Sequence, residues 1–334
     1  MNSTSFSSLG LSDKSFLVTG GAGFIGSHIV DFLLRNGAKK VRVLDNLSTG
    51  FIENVALFND WTNYEFLQGD IRDYDTCKEA CKGIDCITHQ AALGSVPRSV
   101  ENPMLTTAVN VGGFVNVLKA AQESGIKRVV FASSSSVYGD EQQLPKIETT
   151  IGQPLSPYAA SKRSKELYAQ SFAAVYGMEI IGLRYFNIFG PRQSPKGPYA
   201  AVIPLFIEGC LRGTSVYVNG NGLQTRDFTY VQNAVQANVL ALTTRNINAL
   251  NQVYNIAVGQ QFSVNTLFEY IAQYLNSSQK PIYREARLGD VLHSLADISK
   301  ASNLLQYTPE ITFYEGLDNT IAYFLANKAT LFKE

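Results

Sequence analysis

Short apolar runs, each followed by a glycine-rich or polar break, recur along the first half of the chain. Continuous apolar runs of roughly four to eight residues are typical of strands buried on both faces of a sheet, and the stretches between them have helical spacing. Strands that alternate with helices predict a doubly wound parallel sheet with helices on both faces. The predicted strands are Ser15–Thr19, Lys40–Asp45, Glu65–Gln68, Cys86–His89 and Arg128–Ala132.

Other elements follow from local signals between and after these strands. The stretch LGSVPRSVENP is polar and punctuated by proline, which predicts a loop, and apolar positions with helical spacing predict one helix from Met104 to Ser124. Ser156 suits a helix N-cap and Pro157 the first helical position, so another helix is expected to begin there.

Composition narrows the classes of function. The 334 residues carry 28 Lys and Arg against 28 Asp and Glu, with no basic run, so a nucleic-acid or anionic membrane surface is not indicated. Four cysteines without a CxxC pair and three scattered histidines indicate neither a zinc site nor a disulfide framework, which favours a reducing cytoplasmic setting. The serine-rich residues 1–12 are expected to form a loose tail, and no apolar stretch is long enough to span a bilayer.

A glycine-rich turn directly after the first strand is the strongest chemical signal. Gly20, Gly23 and Gly26 have the spacing that allows a tight turn, close approach of a phosphate and close packing of helix on strand. The helix N-terminus there can stabilise a pyrophosphate. Asp45 ends the second strand, where an acid can accept hydrogen bonds from ribose hydroxyls and repels a 2′-phosphate. The sequence therefore predicts a Rossmann-type dinucleotide site that prefers NAD to NADP.

Polar and small residues at the ends of the later strands are further candidates, because ligands lie across the carboxyl ends of such sheets. Asp70, after the third strand, could bond an adenine amino group. Ala91 and Ala92, after the fourth, would let backbone lie against the cofactor, although simple close packing explains them equally well. His89 is expected to be a core residue, since no second ligand or acid stands at a suitable spacing.

Four serines and a YxxxK pair carry the catalytic prediction. Ser133–Ser136 follow the fifth strand, where a serine cluster is equally typical of a plain loop. Tyr158 and Lys162 stand at i and i+4, so both side chains are expected on one face of the predicted helix. A lysine ammonium close to a phenol favours the phenolate, which would make Tyr158 a base near neutral pH.

Taken together, the stretches TGGAGFIGSH, LDNLSTG, GDIRD, HQAALGSVPRS, SSSSVYG, SPYAASK and RYFNIFGPRQ resemble the extended short-chain dehydrogenase/reductase family, and within it the UDP-hexose 4-epimerases. The resemblance implies a catalytic set of Ser134, Tyr158 and Lys162. It also implies these contacts with NAD: Gly20, Gly23, Phe24, Ile25, Gly26, Asp45, Asn46, Ser48, Thr49, Gly50, Asp70, Ile71, Gln90, Ala91, Ala92, Tyr158, Lys162 and Ile188.

The resemblance further implies two domains and a UDP-sugar site. Residues 13–186 would form the NAD-binding domain, to which later segments return, and residues 187–334 mainly a smaller α/β lobe. Ser294 stands where epimerases specific for glucose and galactose carry a bulky tyrosine, so the resemblance indicates room for an acetylated sugar. The implied substrate contacts are Ser95, Ser134, Ser135, Ser136, Asn187, Ala201, Val202, Tyr217, Arg226, Arg287, Asp290 and Ser294.

The implied reaction is the interconversion of UDP-N-acetylglucosamine and UDP-N-acetylgalactosamine through a transient 4-keto sugar, for surface polysaccharide precursors. No metal, nucleic acid or membrane partner is implied. A cytoplasmic homodimer is expected through the helices that start near Met104 and Tyr158. A 6-carboxylated acetylated substrate, a UDP-sugar dehydratase or decarboxylase, and a silent NAD sensor stay open as alternatives.

Overall fold

A seven-stranded parallel sheet forms the centre of the computed structural model, which describes residues 10–196, 200–285 and 292–332. The strands are β1 Ser15–Thr19, β2 Lys40–Asp45, β3 Tyr64–Gln68, β4 Cys86–His89, β5 Arg128–Ser134, β6 Glu179–Tyr185, β7 Ile188–Phe189, β8 Val216–Asn219, β9 Thr225–Arg226, β10 Thr229–Tyr230, β11 Val253–Ile256, β12 Phe262–Ser263 and β13 Pro281–Arg284.

Helices cover both faces of this sheet and build most of a second lobe. They are α1 Phe24–Arg35, α2 Ile52–Ala56, α3 Tyr74–Cys81, α4 Val96–Glu101, α5 Pro103–Thr107, α6 Phe114–Glu123, α7 Pro157–Tyr176, α8 Val202–Arg212, α9 Val231–Thr243, α10 Val264–Tyr274, α11 Ser299–Leu305, α12 Phe313–Ala326 and α13 Lys328–Leu331. In the described ranges, no helix combines the length and apolarity needed to cross a bilayer.

The strand order of the large sheet is β11-β6-β5-β4-β1-β2-β3, with every neighbouring pair parallel. The chain therefore winds outward in one direction from β1 and then returns to its other side at β4. In doubly wound sheets, ligands bind outside the carboxyl ends of the strands at this reversal. The predicted doubly wound α/β fold is confirmed, and the ligand crevice is expected where β1 and β4 end.

Burial explains why the strands could be found from the sequence. All residues of β1 are buried, as are those of β4, and separate apolar clusters pack on the two faces of the sheet. The predicted bounds of β1, β2 and β4 are confirmed. The predicted end of the fifth strand at Ala132 is wrong, because Ser133 and Ser134 continue the ladder with β6. The third strand begins one residue earlier than predicted, at Tyr64.

The prediction of one unbroken helix from Met104 to Ser124 is also wrong. The chain forms α5, a π-helical turn over Ala108–Gly113, and then α6. Asn110 lies in this turn, fully buried, and its side-chain amide bonds both backbone groups of Leu93 and the hydroxyl of Ser161. π-helical turns inside helices are frequent at functional sites, and Val109 of this turn lines the crevice.

The predicted loop LGSVPRSVENP contains a short helix instead, α4. Ser95 is its N-cap, since its hydroxyl accepts the backbone N–H of Arg98, and Pro97 occupies the first turn, where its missing N–H is harmless. Ser95 itself has a φ of 88°, a conformation that side-chain-bearing residues rarely adopt. The loop prediction therefore missed a helix that positions Ser95.

The second lobe lies between β6 and β11 in the sequence and also after β11. It contains three two-stranded sheets around an aromatic-rich core. The chain returns to the large sheet twice after β6. First α9 packs against the sheet, and then β11 pairs with β6 as the last strand at the edge of the sheet. The division of the chain at residue 187 stays a prediction.

Candidate active site

A cleft of about 590 Å³ opens at the carboxyl ends of β1 and β4. Every residue predicted to contact NAD lines it, and so do residues from the ends of β2, β3 and β5. Strand-end positions on neighbouring parallel strands meet at one edge of the sheet, which is why residues so distant in sequence come together. These lining residues include Gly20, Gly23, Phe24, Ile25, Gly26, Asp45, Asn46, Ser48, Thr49, Gly50, Asp70, Ile71, Gln90, Ala91, Ala92, Tyr158, Lys162 and Ile188.

The glycine-rich turn forms the floor of this cleft. A Cβ added at Gly26 would stand 2.1 Å from the carbonyl oxygen of Gly20, and one at Gly20 would stand 2.6 Å from the backbone nitrogen of Ala91. Gly20 also has a φ of 73°. Gly23 is the N-cap of α1, and no described side chain caps that helix. Its first amides are therefore left for a ligand, so the turn fits a pyrophosphate.

Two carboxylates line the far end of the cleft and differ in their surroundings. Asp45 is buried and accepts the backbone N–H groups of Ala22 and Leu47; burial raises its pKa, which those two hydrogen bonds oppose. Asp70 is held by the forked guanidinium of Arg72, which lowers its pKa to about 2, and by Asn46. Asp45 has free lone pairs for ribose hydroxyls, whereas an adenine amino group would share Asp70 with Arg72 and Asn46.

Ser134, Tyr158 and Lys162 line the same cleft. Ser134 is the last residue of β5, and its hydroxyl accepts the N–H of Ser136. Lys162 is buried on α7, with its Nζ 5.6 Å from the centre of the Tyr158 ring, and it donates to the carbonyl of Ala132 at 3.0 Å. A hydroxyl, a phenol and an ammonium therefore meet at one wall, which is a suitable set for moving a proton.

The start of α7 is held by two serines. The hydroxyl of Ser156 caps the helix by accepting the N–H of Ala159. The N–H of Tyr158 donates to the hydroxyl of Ser99, which is fully buried on α4 and donates in turn to the carbonyl of Val96. Tyr158 is thus fixed both by its own helix and by α4.

A second cavity of about 350 Å³ adjoins the first and lies mostly in the smaller lobe. Ser95, Asn187 and Ala201 line both cavities, while Ser134 and Ser135 line only the first. Three more residues predicted to contact the substrate line the second cavity: Val202, Tyr217 and Arg226.

Two other predicted substrate contacts, Ser136 and Ser294, are not found in either wall. Ser136 lines neither cavity, and its hydroxyl oxygen is buried without a hydrogen-bond partner among the residues that the structure describes. Ser294 does not line a cavity either. Its N–H donates to the carbonyl of Thr225, the residue that precedes Arg226. Arg287 and Asp290 lie outside the described residues.

Sequence reasoning missed two polar residues of the walls. Gln193 lines both cavities, and its Oε1 is buried without a hydrogen-bond donor among the described residues. The hydroxyl of Tyr185 donates to Gln90 and accepts from Asn238, and burial raises its pKa. Both residues lie within the RYFNIFGPRQ stretch, which carried the resemblance but held no local sign that these two side chains line the walls.

Comparison with known protein families shows which family has this arrangement of site residues. The model of the NAD dependent epimerase/dehydratase family matches residues 16–257. The chain belongs to this family. Its members use NAD, which agrees with a glycine-rich cradle that a Cβ would fill and with an acid at the end of β2.

Three relatives show which members of the epimerase/dehydratase family the chain is similar to. A putative UDP-glucose 4-epimerase from Methanocaldococcus jannaschii is 41% identical over 94% of this chain and 99% of its own length. The structure of a UDP-N-acetylglucosamine 4-epimerase from Methanobrevibacter ruminantium M1, in complex with UDP-N-acetylmuramic acid, is 42% identical with a TM-score of 0.88, covering 94% of this chain and 99% of that one.

The third relative is a UDP-glucose 4-epimerase of Thermus thermophilus, whose crystal structure contains NAD. It is 35% identical with a TM-score of 0.84, and the comparison covers 93% of this chain and 99% of that one. These relatives share almost the full length of the chain, so the epimerase/dehydratase architecture includes the smaller lobe as well as the large sheet.

Proposed function

We propose that this protein is a UDP-hexose 4-epimerase that interconverts UDP-N-acetylglucosamine and UDP-N-acetylgalactosamine. The observation that carries the proposal is the position of Ser134, Tyr158 and Lys162 in the wall of the NAD cleft, directly beside a second cavity that contains Arg226. A sugar with a nucleotide handle would fill both cavities, its ring at the junction and its diphosphate in the smaller lobe.

Each catalytic residue has a defined task in this reaction. The phenolate of Tyr158 takes the proton from the sugar's O4 and later returns it to the epimerised oxygen, while Ser134 hydrogen-bonds the same oxygen. Lys162 holds the cofactor ribose and favours the phenolate of Tyr158 by its positive charge. Bound NAD would supply the hydride-accepting and hydride-donating nicotinamide for inversion at the sugar's C4. No net oxidation results, so no second reductant is needed.

The second cavity has the donors that a diphosphate requires. α8 begins at Val202 in its wall, and the N-terminus of a helix stabilises negative charge. Arg226 adds a guanidinium, whose forked N–H groups match phosphate oxygens. An anchored diphosphate lets the 4-keto sugar turn over without leaving the protein.

The proposed preference for an acetylated sugar rests first on the resemblance, which places Ser294 where glucose-specific epimerases carry a tyrosine. Ser294 lines neither cavity, but its segment pairs with the strand of Arg226, which lines the second cavity. Ser135 lines the cleft beside Ser134. The 4-epimerase of Methanobrevibacter ruminantium was solved in complex with an acetylated UDP-sugar. A larger pocket still admits a smaller sugar, so we expect residual activity on UDP-glucose.

The test is to incubate the purified protein with UDP-N-acetylglucosamine and no added cofactor, and to separate the sugar nucleotides by chromatography. Formation of UDP-N-acetylgalactosamine up to an equilibrium mixture would support both the reaction and retained NAD. No product, even with added NAD, would contradict the proposal. Parallel assays with UDP-glucose, UDP-glucuronate and the acetylated uronate would then distinguish another C2 or C6 substituent, a dehydratase or decarboxylase, and a silent NAD sensor.

We further propose that the protein is a homodimer through α5 and α7. These helices pack side by side, and Met104 of α5, Leu167 and Val175 of α7, and Val100 of the neighbouring α4 are exposed by 51 to 80%. Exposed apolar patches of this kind mark interaction surfaces. Sedimentation of the wild type and of a Met104→Glu/Leu167→Glu variant should give a dimer and a monomer; a monomeric wild type would contradict the proposal.

We place this activity in the cytoplasm, as a supply of precursors for surface polysaccharide. The four cysteines are all buried as free thiols in the structure, which suits a reducing compartment. Fractionation of source cells, with the epimerase assay on each fraction, would test this location.

A further inference from the structure

A second lysine of α7, Lys165, is fully buried beside Lys162. Its Nζ donates to the carbonyl oxygen of Ala132 at 3.3 Å, and the Nζ of Lys162 donates to the same oxygen at 3.0 Å. No described carboxylate forms an ion pair with Lys165, since the adjacent Glu166 is bonded to Arg184. A buried lysine without a counter-charge is strongly unfavourable, so its presence at this place requires a compensating role.

The surroundings of Lys165 are aromatic and basic. Its Nζ stands 4.8 Å from the ring centre of Phe114 and 5.6 Å from that of Phe131, and such ring faces attract a cation. Burial and the charge of Lys162 lower the pKa of Lys165 far below its usual range. His89 of β4 is also near it, and its pKa is lowered by burial and by both lysines.

The Ala132 carbonyl, which accepts from both lysines, lies where β5 extends beyond its pairing with β4. Ala132 lies one residue beyond the last pair of the β4–β5 ladder, His89 with Phe131, and it lines the NAD cleft. A carbonyl oxygen has two lone pairs and can accept from both lysines at once. If Lys162 were the sole donor to the Ala132 carbonyl, a movement of Lys162 toward the cofactor would leave this buried oxygen without a hydrogen bond. An unsatisfied buried acceptor is unfavourable.

We propose that Lys165 is a positioning residue for the catalytic lysine: it keeps the Ala132 carbonyl hydrogen-bonded while Lys162 turns to the ribose of NAD and to Tyr158. The donor N–H of Lys165, present in its neutral and its charged form, is what this role requires. The inference rests on the role of Lys162 in the proposed function.

Two substitutions separate the donor from the charge. Lys165→Met keeps the length and apolar body of the side chain but removes the donor, whereas Lys165→Gln keeps an N–H donor and removes the titratable amine. Lys300→Met is the control, because Lys300 is likewise a lysine over a ring, that of Tyr254, but is only partly buried and belongs to α11. Thermal unfolding of each variant would establish that it is folded.

The first readout is NAD affinity by calorimetric titration, after bound nucleotide has been removed. We expect Lys165→Met to bind NAD about tenfold more weakly, which corresponds to about 1.4 kcal/mol, and Lys165→Gln and Lys300→Met to stay within twofold of the wild type. Equal affinity of Lys165→Met and the wild type would overturn the proposal. Equal losses in Lys165→Met and Lys165→Gln would also overturn it, since the charge would then matter and not the donor.

The second readout is kcat measured at saturating NAD. We expect it to fall at least about threefold in Lys165→Met, because a Lys162 held at Ala132 is less available to Tyr158. Lys165→Gln should keep the wild-type kcat, and a fall of the same size there would contradict the proposed role. If the wild type converts no UDP-sugar, the proposed function fails, while the NAD titration still decides the role of Lys165.

Discussion

Tyr158 is the residue on which the proposed chemistry most directly depends. Tyr158→Phe removes only the hydroxyl, so NAD binding should persist while turnover falls by roughly a hundredfold to ten-thousandfold, the usual contribution of a general acid–base group. Product formation by chromatography and the absorbance of bound nucleotide would measure the two effects. Tyr168→Phe is the matched control, since Tyr168 is exposed on the same helix. Wild-type turnover in Tyr158→Phe would remove Tyr158 as the base.

Ser294 carries the proposed preference for acetylated sugars. In Ser294→Tyr a bulky ring would occupy the space proposed for the acetamido group, so the kcat/KM for UDP-N-acetylglucosamine should fall at least about tenfold relative to that for UDP-glucose. Ser302→Tyr, which adds the same ring at an exposed position of α11, should leave the ratio unchanged. An unchanged ratio in Ser294→Tyr would show that Ser294 does not select the substrate.

Side chains at strand ends were the residues that sequence reasoning could find, because a buried parallel strand fixes where its last residue lies. Asp45 and Ala91 are of this kind, and both line the cleft. Gln193 and Lys165 were out of reach for a different reason. A glutamine in a loop and a lysine in a helix are ordinary surface residues in a sequence, and only the packing around them buries an unpaired oxygen or an amine.

At the scale of the elements, the short helix α4 helps to hold the catalytic residue Tyr158 in place. Its Ser99 accepts the N–H of Tyr158, so α4 and α7 are joined at the catalytic residue. Ser99→Ala should reduce kcat about fivefold to tenfold. The variant loses the hydrogen bond that holds the N–H of Tyr158, and a loss of about 1 kcal/mol in the activation free energy corresponds to a rate change of about this size. Ser156→Ala removes the other cap of the same helix and should cost similar stability, about 1 kcal/mol, with kcat within about twofold of the wild type. Equal kcat in both variants would contradict this link.

Elements whose form depends on local signals were predictable, and those that depend on tertiary contacts were not. The start of α7 follows from Ser156 and Pro157, and the structure has the helix there. The π-turn at Ala108–Gly113 has no local signature, because Asn110 is held by Leu93 and Ser161 from other parts of the chain. The same holds for the extension of β5 to Ser134, which needs β6 beside it.

At the scale of the whole molecule, His28 joins the large sheet's first helix to the segment that leads into the smaller lobe. Its Nε2 donates to the carbonyl of Pro191 and its Nδ1 accepts from Arg192, a pattern that requires the neutral ring. Burial, and then the Arg192 guanidinium, lower the pKa of His28 to about 3 from 6.5. The unfolded chain therefore binds a proton below about pH 6.5 that the folded protein does not.

The stabilising contribution of His28 should consequently be complete above about pH 6.5 and decrease as the pH falls toward about 3, by at most about 1.4 kcal/mol per pH unit. Chemical unfolding at several pH values would measure this slope in the wild type and in His28→Gln, which keeps an acceptor and a donor but cannot titrate. The variant should show a shallower decline over that range. Identical slopes would show that His28 takes up its proton equally in the folded and the unfolded chain.

The pairing of β11 with β6 has a consequence for the order in which the newly made chain can fold. In the part of the chain that the structure describes, the edge of β6 opposite β5 pairs with Val253–Ile256, so the ribosome must add residues 186–252 before the last strand of the sheet is available. During that interval an apolar strand edge is exposed, and such edges favour pairing with other chains. The smaller lobe thus delays completion of the sheet that carries the NAD cleft, and a nascent chain stalled within this lobe should be the form most prone to aggregate.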